Sequence, residues 1–263
     1  MASIFVYMGL GLLTGLLAGM LGIGGGSVIV PALVFVFAHQ HLPPGLAMKL
    51  AIGTSLASIL FTSLAAIRAQ QKRRAIDWEV ALPLGVATLV GSLVSGYIAG
   101  FLPGLVLKEV FGVFLGLVGL QLLTRWTPPA NWGLPGRPAL FGVGLGIGAL
   151  SAILGIGGGS LTVPFLTACN VEMRRAIAIS ATLGLPIALF GATGFALSGL
   201  HRAGLPPATL GYIYLPALAG LTTVAMVVVP VGVHLAHNLP VARLRRFFGV
   251  LLIAVGTQML LGQ

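Results

Sequence analysis

The sequence predicts an all-α integral membrane protein built from two inverted-topology repeats of about five helical segments each, with glycine-broken helices. Three observations lead there. Of 263 residues, 57% are hydrophobic and 7% charged, with a mean hydropathy of +1.08; a soluble domain carries roughly 25% charged residues and needs them to coat its surface. Several apolar runs reach the ~20 residues that cross a hydrocarbon core of about 30 Å as helix. The hexapeptide Gly-Ile-Gly-Gly-Gly-Ser occurs twice, at 22–27 and 155–160.

Ten apolar helical segments are expected, near 3–21, 27–38, 46–68, 78–101, 105–124, 138–154, 160–170, 174–199, 208–232 and 243–261. The second segment of each half is short, so it either spans with tilt or stops inside the membrane. Residues 125–137 form the one clear linker, rich in Pro and Gly, and Trp126 and Trp132 suit a membrane interface. The expected units are therefore residues 1–124, a linker at 125–137, and residues 138–263. Residues 1–21 lack the basic start of a signal peptide and their pattern recurs at 138–154, so they are expected to be retained structure. The 39 glycines suit closely packed membrane helices.

The internal repeat runs at an offset of 133 residues, Gly15–Pro31 matching Gly148–Pro164. Further matches follow with small indels. Ala51-Ile52-Gly53-Thr54-Ser55 faces Ala178-Ile179-Ser180-Ala181-Thr182, Leu82-Pro83 faces Leu215-Pro216, Phe111-Gly112-Val113 faces Phe248-Gly249-Val250, and Gln121 faces Gln258.

An odd number of segments per half inverts the second copy relative to the first. The charges agree with inversion. The loop after the third segment carries Arg68, Lys72, Arg73 and Arg74 in the first half but only His201 and Arg202 in the second. After the fourth segment the bias reverses, with Lys108 and Glu109 against Arg243, Arg245 and Arg246. One continuous alternation puts Arg68–Arg74, Arg125, Arg137, Arg174–Arg175 and Arg243–Arg246 on the cytoplasmic side and both termini outside. The net charge of +10 is then mostly loop charge, with a positive potential for anions as the sharper alternative. The basic residues form no stripe on a soluble domain, so nucleic acid is not an expected partner.

Four glycines in five positions destabilise a helix by about 1 kcal/mol each, and backbone freed in a bilayer must find partners in protein, water or ligand. Ser27 and Ser160 are expected to act as N-caps of the short helices that follow. Pro31 and Pro164, four residues on, each remove a donor and free a carbonyl near the helix start. The result would be amides at a positive helix end, suited to an anion; the alternative is close helix packing alone. For Gly142, Gly144, Gly146 and Gly148 packing is the preferred account. A dinucleotide fingerprint is a poor match, because Ser27 or Ser160 stands where its third glycine would be and no strand is expected. The candidate substrate-binding residues are Gly24, Gly25, Gly26, Ser27, Thr54, Ser55, Gly157, Gly158, Gly159, Ser160, Ser180 and Thr182. For the four hydroxyl residues of the third segments, helix back-bonding or interhelical hydrogen bonds are equally open. Gln121 and Gln258 fall where burial as a polar clamp is plausible.

Asp77, Glu79, Glu109 and Glu172 lie at expected loop ends, and the apolar segments hold no carboxylate. A carboxylate proton relay or cation site therefore has no residues, which favours an anionic or neutral substrate. Lys49 could attract an anion or snorkel. His39, His41, His201, His234 and His237 read as interfacial, and Cys169 as a small packed residue. One cysteine allows no intrachain disulfide or cysteine metal site. No catalytic or cofactor motif appears, so no enzyme is expected.

These residues resemble the TauE/SafE family of membrane permeases. The resemblance rests on the early Leu21-Gly22-Ile23-Gly24-Gly25-Gly26-Ser27 with Pro31, its second copy, and Ala51–Ser55, and covers essentially the full length. It implies movement of a small sulfur-containing anion (sulfite, thiosulfate, sulfoacetate or a similar organosulfonate) across the bacterial inner membrane, and the inverted halves make a secondary transporter working by alternating access, in the direction of export, the expected mode. An anion channel using the same paired helix breaks is the alternative. The second copy of Gly53-Thr54-Ser55 reads Ser180-Ala181-Thr182, which departs from the pattern.

Overall fold

A computed structural model describes residues 2–21, 25–124, 133–202, 204–235 and 241–261. Ten helices account for nearly all of them: α1 Ala2–Leu21, α2 Gly26–His39, α3 Pro44–Lys72, α4 Trp78–Phe101, α5 Gly104–Thr124, α6 Arg137–Leu154, α7 Gly159–Ala168, α8 Met173–Gly199, α9 Leu215–Leu235 and α10 Val241–Leu261. Six are long and apolar enough to cross a membrane: α3, α4, α5, α6, α8 and most of α9. At 14 and 10 residues, α2 and α7 reach about 21 and 15 Å at 1.5 Å per residue. Neither length by itself matches a core of about 30 Å.

One expected segment begins late. Residues 208–214 are not helical; β1 Thr209–Leu210 and β2 Ile213–Tyr214 pair antiparallel, Thr209 with Tyr214 and Leu210 with Ile213. Pro206 and Pro207 break any helix leading in. Gly211 turns the hairpin at φ 54°, a left-handed conformation that costs glycine nothing. The hairpin inserts between helices: the Tyr212 amide donates to the Phe195 carbonyl (3.3 Å) and the Tyr214 amide to Thr54 Oγ1 (2.9 Å).

The largest helix pairings are α1 with α9, α4 with α6 and α8, and α5 with α10, so each half packs mainly against the other. Exchanging each helix with its repeat partner maps α1–α9 onto α4–α6, and α3–α9 onto α4–α8. Facing residues give the directions. Gly144 and Gly148 meet Leu84 and Thr88, and Gly85 and Gly100 meet Leu183 and Ser198, so α4 runs parallel to both α6 and α8. Gly184 and Gly191 meet Ser63 and Leu56, so α3 and α8 run antiparallel. Gly112 and Gly119 meet Gly256 and Gly249, so α5 and α10 are antiparallel as well. The exposed basic residues Arg68, Lys72, Arg73, Arg74, Arg137, Arg174 and Arg175 thereby gather at one end of the bundle.

Helix α3 is the centre. Met48, Leu50, Ala51, Ile52, Thr54, Ser55 and Leu56 are fully buried along it, and it touches α2, α5, α8 and α9. Outward, Val86, Val90, Val94, Ile98 and Phe101 form an exposed apolar stripe on α4 at helical spacing, which suits lipid rather than water. Gly144 and Gly148 pack on α4 as expected, whereas Gly142 and Gly146 face open space.

Lipid-facing helices gain no hydrophobic drive from association, so close approach must supply the packing energy. At Gly119 a methyl group would lie 2.7 Å from Ile253 Cγ1 and 2.8 Å from the Gly249 carbonyl, while at Gly116 nothing lies within 4 Å. Gly119→Ala is therefore expected to lower the thermal unfolding midpoint in detergent, an overpacking cost of about 1–3 kcal/mol. Gly116→Ala should leave the midpoint unchanged or slightly raised. Equal midpoints for the two variants would contradict the α5–α10 packing.

Candidate functional site

The second glycine run is described in full. Helix α6 ends at Gly155 (φ 68°), with the Gly155 amide on the Ala152 carbonyl (3.2 Å) and the Ile156 amide on the Ser151 carbonyl (2.9 Å). This closure satisfies two of the carbonyls that a helix end leaves unpaired. Helix α7 then starts at Gly158 (φ 76°), whose carbonyl accepts from the Leu161 and Thr162 amides. In the first copy, Gly25 (φ 47°) starts α2 in the same way, accepting from the Val28 and Ile29 amides (both 3.0 Å). Gly22, Ile23 and Gly24 lie outside the described residues.

The expected serine caps are corrected here. The capping positions are Gly25 and Gly158, with no side-chain cap bond, and Ser27 and Ser160 are the second residues of their helices. The chain enters each helix from a left-handed residue, which glycine alone adopts freely. The first amides of each helix have no acceptor within it.

The two breaks meet. A side chain on Gly26 would strike the Gly155 carbonyl and lie 2.8 Å from Ile156 Cα, and one on Gly155 would lie 3.1 Å from Val30 Cγ2 and from Ile52 Cα. Residues 25–30 and 154–160 are buried throughout. Gly25, Gly26, Gly157, Gly158 and Gly159 thus belong to one buried region, and Ser27 and Ser160 are buried within it.

The remaining candidates divide. Ser55 Oγ donates to the Gly155 carbonyl (2.8 Å), tying α3 to the second break. Thr54 holds the hairpin through Tyr214 rather than facing a cavity. Thr182 donates back to the Ala178 carbonyl (3.0 Å) on the half-buried face of α8, and Ser180 is buried on the same helix. For Thr54, Ser55 and Thr182 the alternative of interhelical or backward hydrogen bonds describes what the hydroxyl does.

Four buried hydroxyls have no hydrogen-bond partner among the described residues: Ser58, Ser151, Ser160 and Thr162. Leaving such a group unmatched costs about 1–3 kcal/mol, so their grouping calls for a reason. Ser151 Oγ and Thr162 Oγ1 lie 3.4 and 3.6 Å from the point where a Gly158 side chain would begin. Ser63 Oγ and the Gly157 carbonyl converge likewise on Gly184. The second break is therefore ringed by hydroxyls from α3, α6 and α7.

Ser58, Ser63, Ser151 and Thr162 were not among the sequence candidates. The repeat itself carries a signal for two of them: at the 133-residue offset, Ser151 and Thr162 stand where the first copy has Ala18 and Ile29. The two short helices both start from a left-handed glycine and differ in the polarity around that start.

Ser160 also borders a cavity of about 560 Å³ between α5 and α7, walled by Leu117, Leu120 and Pro164 with Gln121 and Thr124 at its polar part. Gln121 is half-buried there, but Gln258 is exposed, so the expected burial fails for the second glutamine because α10 turns that face outward. His39, His41, His201 and His234 are exposed, and His237 lies outside the described residues. Cys169 is buried at the end of α7. No group of His, Cys, Asp or Glu that could hold a metal occurs among the described residues.

The family model described as sulfite exporter TauE/SafE matches residues 7–259. A probable membrane transporter protein of Haemophilus influenzae is 33% identical over 253 residues, covering 95% of this chain and 96% of its own. A probable membrane transporter protein of Methanocaldococcus jannaschii is 29% identical over 259 residues, covering 95% and 93%. The probable membrane transporter protein YunE of Bacillus subtilis is 32% identical over 181 residues, covering 62% and 66%.

Two substitutions separate conformation from contact at the break. Gly158→Ala would force a side chain into a left-handed backbone and 2.7 Å from Ile187 Cδ1. We expect a loss of at least about 1 kcal/mol of stability, read as a lower detergent unfolding midpoint. Ser55→Ala should also destabilise, by about 1 kcal/mol, because the Gly155 carbonyl loses its donor. A Gly158→Ala protein as stable as the parent would refute the described turn.

Proposed function

The chain belongs to the TauE/SafE sulfite exporter family, a family of membrane transporters, and from that premise we propose that it carries a small sulfur-containing anion at the second helix break. Sulfite, thiosulfate, sulfoacetate and similar organosulfonates are the substrate class. The observation that carries this reading is the set of buried hydroxyls without a partner among the described residues at the start of α7, Ser151, Ser160 and Thr162. A sulfonate or sulfite offers several acceptor oxygens to such donors, and the amides at a helix start add a positive partial charge. Neutral donors suit a carrier, since a fixed cation at the binding depth would hold an anion too tightly to release it.

The two halves are proposed to be inverted repeats, residues 1–124 and 138–263 joined by 125–137. The antiparallel pairing of α3 with α8 and of α5 with α10 supports this. Rocking of one repeat against the other would expose the shared site alternately to each side. The basic end with Arg68–Arg74 and Arg174–Arg175 is assigned to the cytoplasm of a bacterial inner membrane, with both termini outside. Export follows as the favoured direction, because an anion leaving a negative interior gains about 2.3 kcal/mol per charge per 100 mV.

Flux of labelled sulfite, thiosulfate, sulfoacetate and taurine into proteoliposomes tests the reading. Saturable flux with counterflow is expected for at least one of them. Unitary currents without counterflow would convert the proposal to a channel, and no flux of any would end the substrate class. Ser160→Ala and Thr162→Val should each lower kcat/KM about fivefold, the worth of one hydrogen bond of about 1 kcal/mol. Their unfolding midpoints should not fall, since neither hydroxyl has a protein partner to lose. Unchanged flux in both variants would remove these residues from the site.

A further inference from the structure

A second polar cavity lies away from the helix breaks, at the end of the bundle opposite the arginine cluster. It measures about 620 Å³ and is enclosed where α3 and α5 begin, where α4 ends and beside the loop after α8. Its charged lining residues are Lys49 and Arg202, and none of its lining residues is acidic. Lys49 is only 6% exposed. Its ammonium donates to the Gly100 carbonyl (2.8 Å) and sits 5.3 Å from the centre of the Tyr212 ring. One carbonyl and one aromatic face compensate a buried cation incompletely, because an ammonium has three donors and its full charge calls for a counterion.

The backbone adds to the same field. Helix α3 starts at Pro44 and α5 at Gly104, and both starts line the cavity. They are pressed together, since a side chain on Gly104 would strike Gly45. Two positive helix ends in contact repel each other and favour an anion beside them. Four sources of positive potential therefore converge on one cavity whose other walls, Leu46, Phe101, Leu102 and Tyr212, are apolar or aromatic.

We propose that this cavity is a second anion site, a vestibule in which Lys49 and Arg202 hold the oxyanion head of a free sulfur oxyanion or small organosulfonate while the apolar wall receives any short carbon chain. It rests on the transport reading for its ligand class. Its role is to gather the anion at the mouth, where charge raises local concentration, and to hand it to the neutral hydroxyls at the break. Lys49 precedes Ile52 and Ser55, which touch Gly155, by one to two helical turns, so the two sites lie along one face of α3. A phospholipid head group presents the same chemistry and is the competing source.

The test uses the purified full chain in nanodiscs of phosphatidylcholine, with equilibrium binding of labelled thiosulfate, sulfite and sulfoacetate, and flux in liposomes of the same lipid. Arg202 is exposed at the rim, so Arg202→Gln should fold normally. It should weaken binding and raise KM about tenfold, the worth of one charge-assisted contact, with kcat within about twofold. Lys49→Gln should do the same, and Lys49→Arg should restore affinity; should Lys49→Gln fail to fold, the Arg202 variant alone decides. Binding should also fall with added salt in the parent, and less steeply in Arg202→Gln. Normal flux with unchanged KM in Arg202→Gln overturns the vestibule and leaves the transport reading standing. Binding that Arg202→Gln removes, in a protein with no flux, upholds the cavity and overturns the transport reading instead. The proposal also falls if no probe binds the parent, or if native mass spectrometry finds phosphatidylglycerol retained through Arg202 while free anions do not bind.

Discussion

Inside a hydrocarbon layer a backbone amide or carbonyl without a partner costs several kcal/mol, and no water is present to relieve it. A helix satisfies that constraint internally until it stops. This chain stops two helices in its buried interior, before Gly25 and at Gly155, and starts two more there, α2 and α7. Much of the architecture follows from handling those ends. Left-handed glycines turn the backbone quickly, Ser55 supplies a donor to the Gly155 carbonyl, and the two breaks are set against each other so that protein surrounds both. The central helix α3 serves this arrangement: its buried face touches the second break, the hairpin before α9 and, at Lys49, the end of α4.

The same scarcity of partners explains the glycine-rich interfaces. Helices in lipid approach closely because dispersion and backbone contacts are what remains to hold them. The α5–α10 seam shows this, with Gly112 on Gly256 and Gly119 on Gly249. Because each half packs mainly on the other, the proposed rocking of one repeat against the other would run along such seams. There the glycines receive large side chains of the facing helix, Leu260 at Gly112, Ile253 at Gly119 and Leu123 at Gly249.

The two short helices share a starting conformation and diverge in chemistry. Gly25 and Gly158 have the same left-handed form, yet Ser151 and Thr162 replace Ala18 and Ile29. Three of the four buried hydroxyls without a partner among the described residues, Ser151, Ser160 and Thr162, lie in the second half of the chain. Thr54 and Ser55 complete the asymmetry from the first half: one clamps a hairpin and the other caps a carbonyl, while Thr182 opposite them bonds only to its own helix.

Composition and period determined the membrane class, the ten segments and most of their limits, because a chain with 7% charged residues and a 133-residue repeat has few other ways to fold. Glycine runs likewise marked where helices break, since four glycines in five positions carry a large helix penalty whatever their neighbours. Tertiary structure alone decided the rest. A hydroxyl in a helix looks the same in sequence whether it bonds backwards, as Thr182 does, clamps a distant amide, as Thr54 does, or stands without a partner, as Ser160 does. That choice depends on which group another helix brings within hydrogen-bond distance. The docking of Tyr214 on Thr54 and the convergence of Lys49 with Arg202 are of the same kind, for both arise where segments more than 100 residues apart in the chain come together.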